Sequence, residues 1–515
     1  MHNKDEAFMA GMPEDDRRMF QEASQRHNIF VETTKQKRFG TDMKDVQENV
    51  SIVENYYLQL LNSYPEWDAL VYQLATLYLQ TNRNGLCIRL LKPMVGRKSG
   101  VLLEWVNNLG AAYRNEHMNA EAAVCFKQAL KLDRQTDILA NLCALWVNEG
   151  YPERGIPYGR EALAKEPKHK QATWNLGLLL MENGEWEEGF SYYRQGFETG
   201  ERLIRPYLNP EGKEAPFWKG EDLNGKTIVL HGEQGIGDEL LFLQFIYPLC
   251  EQYPDARIIL DVHPRLCSAI QRSMGSIGQI IDFYPTRKEV PVWNTSQSVD
   301  FKDGLGSLPA YYWESMSKYA GWLKPKEDLV QYYKNILLQV QKENCQEGWP
   351  LVGISWEGGK KKTRNDLRSI GLEEWGPILS KDCTFVSLQY TPSATKEASK
   401  VFTETGVRVL HYPDVTERKD YEHTLALVTA MDLVVTVNTS IVHACGSMGH
   451  PCWTLTPHGH AWRYGKKEVQ LPFYKSVTQF HQNPEESWKR VINKVGFQVM
   501  HFAEEFRPAT DKETV

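Results

Sequence analysis

Apolar residues along this chain keep two different rhythms. Residues 1–45 are polar and weakly periodic, a pattern that reads as a leader or a helical cap. From 46 to 204 the apolar positions fall at helical spacing, and the helical pattern itself recurs: Leu74, Leu109, Leu142 and Leu176 step by 35, 33 and 34 residues. Residues 205–226, "RPYLNPEGKEAPFWKGEDLNGK", break that rhythm with prolines and glycines and read as a linker. Beyond it the period changes. Strand patterns at 227–231, 257–262, 279–283, 351–356, 383–388, 407–411 and 432–437 alternate with helical patterns such as 238–252, 264–273 and 423–430. Such alternation predicts βαβ units with parallel sheets. The polar stretch 341–350 divides them into two α/β halves, 227–340 and 350–500, with a tail at 501–515. Ligands of such halves bind at the carboxyl ends of the strands.

The repeating unit has a recognisable packing logic. In "NNLGAAYRNEHMNAEAAVCFKQALKLD", Leu109, Gly110, Tyr113, Ala122, Phe126 and Ala129 sit at the offsets of a tetratricopeptide repeat. Gly110 and Ala122 let two helices cross closely, and Tyr113 and Phe126 fill the space around the crossing. Related frames occur around Tyr78, Trp146 and Gly177. Four copies in register separate this reading from an unrelated helical bundle.

Composition narrows the function classes. A net charge of −7 over 515 residues argues against a general nucleic-acid binder. Nine scattered cysteines without a C-x-x-C pair argue against a disulfide framework or structural zinc and for a reducing compartment. With no apolar run near the ~20 residues of a membrane span, a soluble, cytoplasmic protein is expected.

Candidate chemistry lies at the strand ends. "LHGEQGIGDELL" (230–241) is a strand, glycine loop and helix start, the usual place for a phosphorylated ligand, yet it closes on two acids, Asp238 and Glu239. Asp238 reads either as a functional carboxylate or as a first-turn acid of its helix. "WEGGKKKTRNDLR" follows another strand from Trp356 and gathers Lys360, Lys361, Lys362, Arg364 and Arg368, an anion site or a solvated charged loop. Strand 432–437 ends in Asn438, Thr439 and Ser440 with His443 one turn into the next helix, which suits either phosphate binding or ordinary capping.

The order "GEQGIGDELLF", "LGSLP", "GISWEGG…RSI", "FVSLQ", "NTSIVHACGSMGHPCWTL" and "AWRYG" resembles the tetratricopeptide-repeat glycosyltransferases, whose catalytic half is similar to glycosyltransferase family 9, the heptosyltransferases. In architecture it also resembles O-GlcNAc transferase. The resemblance covers roughly residues 50–480 and implies an α plus α/β fold, with a tetratricopeptide-repeat array followed by a GT-B fold of two Rossmann-like domains. It implies an inverting, metal-independent hexosyl or heptosyl transferase with a nucleotide sugar as co-substrate and no other cofactor, and no D-x-D motif stands against that. In this family the Asp of G-x-G-D is thought to serve as base, which points to Asp238, with Glu239 in reserve. Gly235, Gly237, Trp356, Lys362, Arg364, Arg368, Gln389, Asn438, Thr439, Ser440, His443 and Trp462 would hold the donor, and His231 and Gln234 the acceptor. Arg463 would line the cleft beside Trp462. The repeats would recruit a macromolecular acceptor, whether protein, saccharide or modified nucleic acid. One departure stands out: the family commonly has Asp where this chain has Asn438. Two competing readings follow, a repeat-based binding protein with a degenerate transferase domain, and a nucleotide-sugar epimerase.

Overall fold

The computed structural model of the chain describes residues 8–35, 43–97, 101–285, 292–359, 365–379, 382–416, 420–466 and 468–506. It forms two compact units: Met1–Asn183 with Ser191–Ile204, and Gly184–Phe190 with Arg205–Val515.

The first unit is a helical array. Within the polar leader, residues 14–35 form a helix whose buried Phe20, Ala23 and Phe30 join the core of the helices that follow. Antiparallel helix pairs then succeed one another, such as Leu103–Asn115 with Asn119–Leu132 and Thr136–Glu149 with Pro152–Lys165. The four register leucines are all buried. A Cβ on Gly110 would lie 2.7 Å from the buried Phe126 ring, so this helix crossing needs a residue without a side chain.

The second unit contains two parallel sheets. The first lobe has β1 (Thr227–His231), β2 (Arg257–Asp261), β3 (Ile280–Tyr284) and β4 (Phe301–Gly304) in the order β3-β2-β1-β4. The second has β5 (Leu351–Ser355), β6 (Thr384–Ser387), β7 (Val409–His411), β8 (Leu433–Val437), β9 (Cys452–Thr456), β10 (Gln470–Leu471) and β11 (Tyr474–His481) in the order β10-β11-β9-β8-β5-β6-β7. All pairings are parallel except that of β10 with β11. A helical array followed in the chain by two parallel α/β lobes is the predicted fold class. Four strands, β4, β9, β10 and β11, were absent from the periodicity. β4 reads "FKDG", and its Lys302 and Asp303 are buried through polar partners: Lys302 Nζ binds Glu214, and Asp303 accepts the Gly304 N–H at 2.8 Å. The single helix expected over 238–252 is two, Ile236–Leu243 and Ile246–Gln252. At the break the buried Gln244 side chain donates to the Leu241 carbonyl at 2.8 Å.

The stretch expected to be a linker is built into the first lobe. Arg205 and Tyr207 are buried and bind Asp261 at 2.9 and 2.7 Å, and Trp218 is fully buried with its backbone N–H on the Lys302 carbonyl. Its prolines and glycines route an irregular path along β4, where Phe217 bridges Lys302, and do not free it from the core. Among the described residues no helix is long and apolar enough to cross a membrane.

A boundary between the two units falls at Ile204/Arg205, and an earlier segment, Gly184–Phe190, also belongs to the second unit. Trp186 and Phe190 belong to the α/β unit, where Trp186 packs on Phe473 at 5.4 Å and Phe190 on Trp462 at 5.9 Å between ring centroids. A fragment starting at Arg205 lacks both rings and is expected to expose Trp462 and Phe473, to bind a hydrophobic dye and to aggregate. A fragment starting at Gly184 keeps both rings and is expected to bind less dye and to elute with less aggregate in size-exclusion chromatography. Equal behaviour of the two fragments would contradict this role of Trp186 and Phe190.

Candidate active site

The site lies where the carboxyl ends of β1 and β8 lead into helices. After β1 the chain turns through Gly232 and Gly235 into the helix Ile236–Leu243. After β8 it passes Asn438 and Thr439 into the helix Ser440–Met448, which Thr439 caps by accepting the Ile441 N–H at 3.2 Å. These two helices meet directly. A Cβ on Gly237 would sit 2.8 Å from His443 Cδ2 and 3.4 Å from Ser440 Cα. Further along, the Ser447 hydroxyl donates to the Leu240 carbonyl at 3.1 Å.

Asp238 points out of the first lobe. Its Oδ2 accepts the Gly235 N–H at 3.2 Å, closing the first turn of its own helix. Its Oδ1 lies 2.5 Å from a guanidinium nitrogen of Arg463, with the two side chains 16% and 19% exposed. Asp238 therefore closes the first turn of its own helix and is also paired with a cation of the second lobe. Glu239, about 100° further round the helix, points inward. It is 3% exposed, its Oε2 accepts the His263 N–H at 2.8 Å, and its carboxyl occupies the space that a side chain on Gly232 would need. Burial pushes its pKa up to about 8, against the opposing influence of the His263 N–H and Arg205. A carboxyl that keeps its proton at neutral pH beneath the loop is no base for an acceptor at the surface, which corrects its reserve assignment.

His443 is 3% exposed and held neutral, its pKa pulled down to about 3 by burial first and by Arg463 next, with Asp238 opposing. Its Nδ1 has no hydrogen-bond partner among the described residues. The Ser440 hydroxyl lies 3.1 Å from that of Tyr421. Arg368 is half-buried, and its Nε donates to the Gly358 carbonyl at 3.0 Å. Burial lowers its pKa, and Arg463 adds to that, while Tyr464, Tyr390 and Asp238 oppose it. Arg368, Arg463, Asp238 and the start of the helix Ser440–Met448 thus share one neighbourhood. Lys360, Lys361, Lys362 and Arg364 lie outside the described residues.

Several expected contact residues hold the scaffold and do not face a ligand. Trp356 is 1% exposed, and its indole N–H donates to Glu397 at 2.5 Å. Gln389 is fully buried. Its Oε1 accepts from the Ser355 hydroxyl at 2.9 Å and the Glu357 N–H at 3.2 Å, and its amide returns to the Glu357 carbonyl at 3.0 Å. Gln389 therefore clamps the turn after β5. Asn438, 2% exposed, accepts from the Thr454 and Thr456 hydroxyls at 2.8 and 3.2 Å. The residue that departs from the family pattern thus ties β8 to β9, where a carboxylate would be a buried charge. Trp462 stacks on Phe242 at 6.1 Å and is buried, so its ring serves packing and not a nucleotide base. His231 is fully buried beside Tyr207, which places it inside the first lobe and not at an acceptor surface. Gln234 and Gly235 remain partly or fully exposed on the loop. Sequence reasoning missed three contributions: the pairing of Arg463 with Asp238, Tyr421 beside Ser440, and Arg205 with Tyr207 under the glycine loop. Only the first had a signal, the "AWRYG" motif.

No protein-family model matches the chain. It is similar to Protein FlbA of Caulobacter vibrioides, 24% identical over 447 residues that cover 78% of this chain and 73% of that protein. Among solved structures, a glycosyl transferase family 9 protein from Veillonella parvula is 12% identical, covers 55% of this chain and 98% of its own, and gives a TM-score of 0.40. An O-GlcNAc transferase mutant from Thermobaculum terrenum is 12% identical with 96% and 94% covered and a TM-score of 0.31.

Glu239 gives this region a pH dependence of known sign. Its folded pKa lies above the unfolded value, so the folded state retains a proton that the unfolded chain loses. Stability from this group is full below about pH 4.5 and is lost progressively as pH rises to about 8. Glu239→Gln is expected to flatten the melting temperature across that window, gaining most at pH 8 and least at pH 5. Parallel melting curves of the two proteins at every pH would refute the assignment.

Proposed function

We propose that the protein is an inverting glycosyltransferase that moves a sugar from a nucleotide-sugar donor to a hydroxyl of an acceptor. The observation that carries this reading is the placement of Asp238 at the first turn of the helix Ile236–Leu243, directly beside the start of the helix Ser440–Met448 and near two guanidiniums, Arg463 and Arg368. Such a site separates two jobs. A carboxylate takes the proton of the attacking hydroxyl as its oxygen bonds to the anomeric carbon. Cations and helix N–H groups stabilise the nucleoside diphosphate as its bond to that carbon breaks. The helical array fits a role in recruiting a macromolecular acceptor, because repeat arrays offer extended surfaces to partners. The degenerate-domain alternative rested on Asn438, and the buried bonds of that residue remove its main support. Protein, saccharide and modified nucleic acid remain the acceptor classes of this proposal.

Asp238→Asn is expected to lower transfer by ~10²–10⁴ while the melting temperature stays within a few degrees. Full turnover by this variant would eliminate Asp238 as the base. Arg368→Ala is expected to weaken nucleoside diphosphate binding about tenfold or more and to leave nucleoside binding nearly unchanged, as calorimetry can read. Equal losses for the two ligands would confine Arg368 to holding the Gly358 turn.

A further inference from the structure

Arg463 reaches Asp238 from a well-anchored position. It follows Trp462, whose ring is fixed among Phe242, Phe190 and Phe473, and its guanidinium lies over that ring at 5.3 Å. The ion pair it makes at 2.5 Å engages the one Asp238 oxygen that does not close the helix turn. Charge around the pair is unbalanced. Arg368 lies close enough for Arg463 to depress its pKa, and the residue before Asp238 touches the first turn of the helix Ser440–Met448. One guanidinium thus contacts the carboxylate, while a second, held on the Gly358 carbonyl, and a helix N-terminus lie nearby. A diphosphate carries more negative charge than that carboxylate and presents paired oxygens that suit a guanidinium fork.

We propose that Arg463 is a ligand of the donor diphosphate and that Asp238 and the phosphate compete for it. The inference rests on the function proposed above. Asp238 occupies on Arg463 the place an oxyanion of the donor would take. When a diphosphate engages Arg463, Oδ1 of Asp238 is released toward the acceptor hydroxyl. The carboxylate is thereby unmasked by the donor, which orders the reaction: donor first, acceptor second. A competing internal anion lowers apparent affinity for the external one, so its removal raises that affinity.

The test is calorimetric titration of the full-length protein with UDP, GDP, ADP and CDP, and with the matching nucleosides. The proteins are wild type, Asp238→Asn, Arg463→Ala, Arg463→Lys and the double variant Asp238→Asn with Arg463→Ala, each checked for an unchanged circular dichroism spectrum. Asp238→Asn is expected to bind its preferred diphosphate about tenfold tighter than wild type, with nucleoside affinity unmoved. Arg463→Ala is expected to bind it at least tenfold weaker, Arg463→Lys to fall between, and the double variant to match Arg463→Ala. A wild-type-like affinity in Asp238→Asn, or a gain that persists in the double variant, overturns the competition and leaves the transferase reading standing. Absence of diphosphate binding in wild type and every variant overturns both.

Discussion

Gly237 has no side chain, and the α/β unit is organised around that absence. A Cβ there would press on His443 at 2.8 Å, so any other residue would push the helix Ile236–Leu243 off the helix Ser440–Met448. The same close approach brings Leu240 within hydrogen-bond reach of Ser447, buries the neutral His443, and sets Asp238 opposite Arg463. One of the contacts between the two lobes therefore runs through the first turns of two helices. That arrangement puts the backbone N–H groups of both at one place, where negative charge is favoured.

Aromatic packing holds the third partner in line. The segment at 462–464 is one short turn and carries little rigidity of its own. Stacking of Trp462 on Phe242, with Phe190 and Phe473 at its edges, ties that turn to the loop helix and to residues 186–190. Arg463 is directed by its neighbour's packing. Phe190, which precedes the α/β halves in the chain but belongs to the same compact unit, thus contributes to the placement of a cation beside Asp238.

Neighbouring acids in the glycine loop received opposite environments. Asp238 meets a cation at the lobe junction, whereas Glu239 is sealed under Gly232 and retains its proton. Beneath them Asp261 is neutralised by Arg205 and hydrogen-bonded by Tyr207, and its carbonyl accepts the Gly232 N–H at 2.9 Å. The loop is braced by a buried network drawn from a stretch of prolines and glycines that looks like a tether in one dimension.

Local pattern was enough for much of this protein. The repeat register, the change of period near residue 227, seven of the strands and the G-x-G-D loop are all readable in the chain, because each depends on residues a few positions apart. Gly110 against Phe126 follows from the same short-range logic. Side-chain roles at the strand ends were different. Trp356, Gln389, Asn438, Trp462 and His231 stand in motif positions, yet their atoms are spent on Glu397, the turn after β5, Thr454 and Thr456, Phe242, and Tyr207. Charge and spacing made Asp238 a candidate in the sequence. Its pairing with Arg463 joins residues 225 positions apart across two lobes, and only tertiary packing brings them to 2.5 Å. Periodicity records which face of an element is buried, but an ion pair depends on where two separately folded elements finally meet.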